Sequence, residues 1–111
     1  MSGAASRRKG NAAELAVART LRAAGWSAVT SRSAQGVQGG EDLITDTPCS
    51  WEVKDRGRIE LGAWVEQAVA NAGGRPAVVV AKRRGKGDPR RWYAVLELGD
   101  LLRLLEAFRD D

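Results

Sequence analysis

At 111 residues, 43% of them hydrophobic, the chain has the size of one domain and enough apolar material for a core, which argues against overall disorder. It has no histidine and a single cysteine, which excludes Ser-His-Asp hydrolysis, histidine-based nuclease motifs, imidazole or cysteine zinc sites and an internal disulfide; any catalysis must rest on carboxylates, lysine, arginine or hard metal ions. The net charge of +4 and a pI near 9.8 suggest a polyanionic partner, most simply nucleic acid. No apolar run approaches membrane-spanning length and no signal peptide opens the chain, so a cytoplasmic protein is expected.

In chain order, residues 1–10 read as a flexible basic arm, with Arg7, Arg8 and Lys9 either solvated or touching phosphate, and residues 11–111 as one domain. Asn11 is placed to cap a helix running to about Ala24 and ended by Gly25. At roughly 100° per residue, Leu15, Val17, Ala18 and Leu21 spread around one face, and Glu14 falls near its middle. An acid there either answers the helix dipole or is a buried group aimed at a site. Trp26–Thr30 reads as the first strand, followed by a polar loop to Gln38 with Arg32 and Ser33 near its start. Arg32 either contacts a phosphate bidentately or is an exposed loop residue.

A second helix is predicted from Glu60 to Asn71 or Ala72, stopped by Gly73-Gly74, with Leu61, Trp64, Val65, Ala68 and Val69 as its core stripe. Gln67 flanks that stripe, either bonding near a site or lying on the surface. Pro76–Ala81 is a β-branched run suited to a strand buried on both faces. Lys82, Arg83, Arg84 and Lys86 crowd a glycine-containing loop that either tracks a phosphate backbone or is a solvated tip. Arg56 and Arg58 form a second basic link. Trp92–Leu96 is the last strand. Asp100 is placed to cap a final helix with Leu101, Leu104, Leu105 and Phe108 on one face, which either covers the sheet or joins two subunits. The order is helix, three strands, helix, two strands, helix: an α/β chain with a mixed five-stranded sheet flanked by helices.

The organising stretch is Gly39–Lys54, two short strands around the turn Thr45-Asp46-Thr47-Pro48. Alternation sends Glu52 and Lys54 to one face and Trp51 and Val53 to the other, while Asp42 and Ile44 oppose Leu43. Pairing of the strands brings Asp42, Glu52 and Lys54 to one end of the hairpin. Two carboxylates and an ammonium held together are costly unless something uses them, and a divalent metal would. Of the four lysines, only Lys54 has an acid two positions earlier. Cys49 reads as a small strand hydrophobe.

An acid after a glycine turn, followed on the next strand by acid-x-lysine, resembles the PD-(D/E)xK nuclease superfamily, with Glu41 where that motif has its proline. Arg8-Lys9-Gly10-Asn11-Ala12-Ala13-Glu14, the pair Gly25-Trp26 and the pair Arg32-Ser33 are similar to the archaeal-type Holliday junction resolvases and their phage relatives, best from Arg8 to Lys54 and more loosely to Phe108. The resemblance implies a restriction-endonuclease-like core, a location in the host cytoplasm if phage-encoded, and hydrolysis of DNA phosphodiesters at four-way junctions. It implies Mg²⁺ or Mn²⁺ held by Asp42 and Glu52, with Glu14 direct or through water and the Val53 carbonyl completing the shell. Lys54 would orient the attacking water or stabilise the transition state. Two symmetric cuts imply a homodimer, for which Trp64, Trp92, Phe108 and the last helix offer apolar surface. Two alternatives stay open: a repair or end-processing nuclease of the same fold, and a catalytically silent DNA-binding module.

Overall fold

Alanine, leucine and arginine, strong helix formers, dominate the first two dozen residues. The computed structural model describes residues 3–34 and 40–109, and in it this segment forms one helix, α1, over Gly3–Ala23. The helix begins well before Asn11, which is interior and not a cap, and Arg7, Arg8 and Lys9 are helical instead of forming an arm. Gly10 costs about 1 kcal/mol inside a helix, which good formers on both sides outweigh. The buried stripe is Ala13, Glu14, Val17 and Ala18, with Leu21 packed beside it, whereas Leu15 turns outward. Gly25, at φ +101°, ends the helix in a Schellman arrangement: Trp26 N–H donates to the Leu21 carbonyl and Gly25 N–H to that of Arg22, both at 3.0 Å.

Five strands follow in the expected sequence: β1 (Ala28–Thr30), β2 (Leu43–Thr45), β3 (Ser50–Lys54), β4 (Ala77–Ala81) and β5 (Tyr93–Val95). They form one mixed open sheet in the order β1-β2-β3-β4-β5, with β3 and β4 parallel and every other neighbour antiparallel. The loop expected from Ser31 to Gln38 opens with a 3₁₀ turn over Ser31–Ser33, and its part from residue 35 on, with Gly39, lies outside the described residues. A parallel pair needs a crossover, and α2 (Leu61–Asn71) supplies it.

The apolar run of β4 is buried along its whole length, because each face meets a helix. Val78 and Val80 pack with Leu43, Val53 and the α1 stripe, while Ala77, Val79 and Ala81 pack with Trp64, Ala68 and Ala72. Leu61 and Val69, expected in the α2 stripe, are exposed instead. Trp64 and Trp92, expected as spare apolar surface, are core residues. Cys49 is buried and burial pushes its thiol pKa up, in keeping with a packing role.

The last helix, α3 (Leu98–Glu106), begins before Asp100, which sits in its first turn and not at the cap. The Asp100 carboxylate accepts the Ala77 N–H at 3.1 Å and ties α3 to the start of β4. Leu104 packs on the core, whereas Leu98, Leu102, Leu105 and Phe108 are exposed. No described helix is long and apolar enough to cross a membrane.

Candidate active site

Alternation along β3 sets the geometry. Val53 is buried toward α1, with Trp51 packed alongside, while Glu52 and Lys54 face α2. There they meet a matching pair: Asn71 Nδ2 donates to Glu52 Oε1 at 3.1 Å, and Lys54 Nζ donates to Gln67 Oε1 at 3.3 Å. Residues two apart on a strand are separated by about 6.7 Å and residues four apart on a helix by about 6 Å, so two residues of β3 register with two of α2 running the other way. Gln67 thus reaches the site by positioning Lys54. Asn71 also approaches the backbone at Gly40, where a Cβ would stand only 2.5 Å from its Cγ.

The β2–β3 pairing rests on one register pair, Leu43 with Trp51, and leaves Asp42 just outside β2 beside Glu52. Asp42 is locked from two sides: its N–H donates to the Trp51 carbonyl at 2.8 Å, and Oδ2 accepts the Val53 N–H at 2.7 Å. Glu52 is only 3% exposed, and its carboxyl is pushed up to about 7, first by burial and then by the charge of Asp42; Asn71 and Lys54 oppose the shift. Asp42 also shares a hydrogen bond with the protonated form of Glu52.

Glu14, the acid that looked misplaced on α1, is buried and points toward the end of the first strand. It does not join the other two acids. Arg32, in a 3₁₀ turn over Ser31–Ser33, grips it with two hydrogen bonds of 3.1 Å, Nε to Oε1 and Nη2 to Oε2. Among the described residues no three acids converge as a ready metal cluster, so the expected three-carboxylate shell is reduced to a pair, Asp42 and Glu52. The physical reason is competition, since a guanidinium fork matches a carboxylate and compensates its burial. Arg32 was expected on phosphate; one edge is taken by Glu14, and three of its five N–H donors remain on the other. Ser33 donates only to the Thr30 carbonyl, within its own turn.

Glu14, Arg32, Asp42, Val53 and Lys54 line one cavity of about 290 Å³, closed by Arg7, Gly10, Asp55 and Arg56. Asp55 and Arg56 also line a larger neighbouring cleft of about 640 Å³, whose other cations are Arg8, Lys9, Lys82, Arg83, Arg84 and Lys86. The two basic segments that looked separate in sequence thus meet across the β3 and β4 ends. Arg58 lines neither space. Asp55, not singled out in the sequence, holds Lys9 at 3.7 Å and Lys82 at 3.6 Å within that cleft. Asn71 was also missed; it lies four residues after Gln67, on the same side of α2.

The donor set fits a hard divalent cation in kind, since two side-by-side carboxylates that repel each other as anions are what such an ion relieves. It falls short in number while Arg32 holds Glu14. No protein family, curated protein or solved structure matches this chain.

The cleft makes a separate expectation checkable. The double variant Arg84→Gln with Lys86→Gln should weaken binding to every DNA form alike and flatten the slope of log affinity against log salt by roughly two. Fluorescence titrations at several salt concentrations measure it; an unchanged slope would mean that the loop does not touch phosphate.

Proposed function

We propose that the protein is a metal-dependent DNA endonuclease of the PD-(D/E)xK type, with a restriction-endonuclease-like core, and that it acts as a homodimeric Holliday junction resolvase. The observation that carries the reading is the placement of Asp42, Glu52 and Lys54 together at the end of β3, beside a cleft lined by cations. The order of elements and the parallel β3–β4 pair joined by α2 agree with it.

Asp42 and Glu52 would hold Mg²⁺ or Mn²⁺, and Glu14, which lines a cavity with Asp42, would join directly or through water on release from Arg32. Bound there, such an ion would lower the pKa of a coordinated water and neutralise phosphate charge. The chain's own residues do the rest. Gln67 fixes the Lys54 ammonium, and Lys54, which lines the cavity, would orient a water or meet charge developing on the phosphate. Arg32 keeps Glu14 compensated and offers its free edge to the same phosphate. The cleft cations hold the flanking backbone. One chain supplies one site; two opposed cuts in a junction with approximate two-fold symmetry require two chains related by a two-fold axis.

The test is a substrate panel with Mg²⁺: four-way junction, flap, nicked and linear duplex DNA of equal length, with the oligomeric state measured under the same conditions. A dimer that nicks two opposing strands near the branch point is expected. Equal cutting of linear and branched DNA, or a strict monomer, would leave a repair or end-processing nuclease. Binding without cutting would favour a catalytically silent DNA-binding module, a reading to which the Glu14–Arg32 pairing lends some support.

A further inference from the structure

β3, β4 and β5 end in one row. Lys54 is in register with Ala81, and Ala81 with Tyr93, so the three side chains emerge on the same sheet face. Tyr93 therefore stands two strand spacings, about 10 Å, from Lys54. It is 53% exposed on a short edge strand. Its ring carries the Arg83 guanidinium at 4.4 Å. That guanidinium is not loose, because Arg83 Nη1 donates to the Arg91 carbonyl at 2.8 Å. The turn presenting Arg91 is itself pinned: the Asp88 carboxylate accepts the Arg90 N–H at 3.0 Å, and Trp92 Nε1 donates to the Lys86 carbonyl at 2.7 Å.

The result is a guanidinium held over a tyrosine ring, with Arg83 also lining the basic cleft. A planar cation fixed beside a phosphate track suits one kind of occupant. A duplex keeps its base faces stacked and offers only backbone to such a surface. An unpaired base offers a π-face, which stacks on arginine planes and aromatic rings alike. The positive lining of the cleft complements the backbone of the same strand.

We infer that Tyr93 and Arg83 form a stacking platform for an unpaired DNA base, about 10 Å along the sheet from Lys54, the rise of roughly three stacked nucleotides. The inference rests on the nuclease reading above and deepens it. It makes a strand with an unpaired base near the cut, as at a branch point or fork, the preferred substrate. Lys82 and its neighbours hold the phosphates, and the platform reads whether the base is free.

The test is done in EDTA, so that cleavage plays no part. A forked DNA with one unpaired arm and a blunt duplex of equal length are titrated with the full chain. The fork is expected to bind more tightly. Tyr93→Ala should weaken fork binding roughly tenfold, as for the loss of one stacked base, with duplex affinity unchanged. Tyr93→Phe should keep the preference. Arg83→Lys preserves the charge but not the plane, and should lose the preference as Tyr93→Ala does. A 2-aminopurine in the unpaired arm should be quenched by the unaltered chain and not by Tyr93→Ala. Thermal melting confirms that each variant is folded. Equal loss on both DNAs, no loss, or unchanged quenching would overturn the platform while leaving the nuclease reading intact. Failure of the unaltered chain to bind either DNA would overturn both.

Discussion

Asp42→Asn and Glu52→Gln are each expected to reduce Mg²⁺-dependent cleavage by on the order of a thousandfold, the equivalent of about 4 kcal/mol of transition-state stabilisation. Neither change should unfold the chain. Asn at position 42 retains an oxygen for the Val53 N–H, and Gln at position 52 retains one for Asn71. DNA affinity in EDTA should stay within about threefold, because the cations that line the cleft are untouched. Single-turnover cleavage and a binding titration on the same preparations separate the two effects. Full activity in either variant would remove that carboxylate from the chemistry.

The second large effect concerns stability. The Glu52 carboxyl stands at about 7 in the folded chain against an ordinary 4.5. The folded state therefore holds this proton more tightly than the unfolded state between those values. Its contribution to stability is fully present below about pH 4.5 and is lost as pH rises through about 7, by on the order of 3 kcal/mol. The informative quantity is the difference from Glu52→Gln, in which every group common to the two proteins cancels. That variant has no proton to lose here and should be the more stable of the two at pH 8 without metal. Urea unfolding at pH 5 and pH 8 measures it. A common pH slope for both proteins would show that Glu52 is not held protonated. Added Mg²⁺ should narrow the gap at pH 8, since a ligand that binds only the folded state stabilises it.

Both expectations grow from residues that local reasoning could and could not read. Glu14 was legible because an acid in an apolar stripe breaks a pattern, and Glu52 and Lys54 because strand alternation is strict. The order of strands and helices followed from the same periodicities. What stayed hidden were partners far along the chain. Arg32 takes Glu14, Asn71 takes Glu52, and Arg75 takes Glu41 at 2.9 Å, in pairs separated by 18, 19 and 34 residues. Spacing carries no trace of such pairs, because the fold alone brings them together. Asp100 was misread for the same reason: a carboxylate at a helix start reads as a cap, and its partner, Ala77 N–H, belongs to a strand 23 residues away. The N-terminal boundary failed differently. Polar residues and a glycine signalled a loop, whereas the propensities summed over the whole segment favoured helix.

The bond between the Val53 amide and the Asp42 carboxylate has one more consequence. This amide, like that of Ala77 at the start of β4, is closed by a side chain and not by a main-chain carbonyl. Its proton leaves for solvent only in the moments when the carboxylate lets go. The exchange lifetime of that single amide is therefore a clock on Asp42: slow while the acid stays home, fast once something else claims its oxygen.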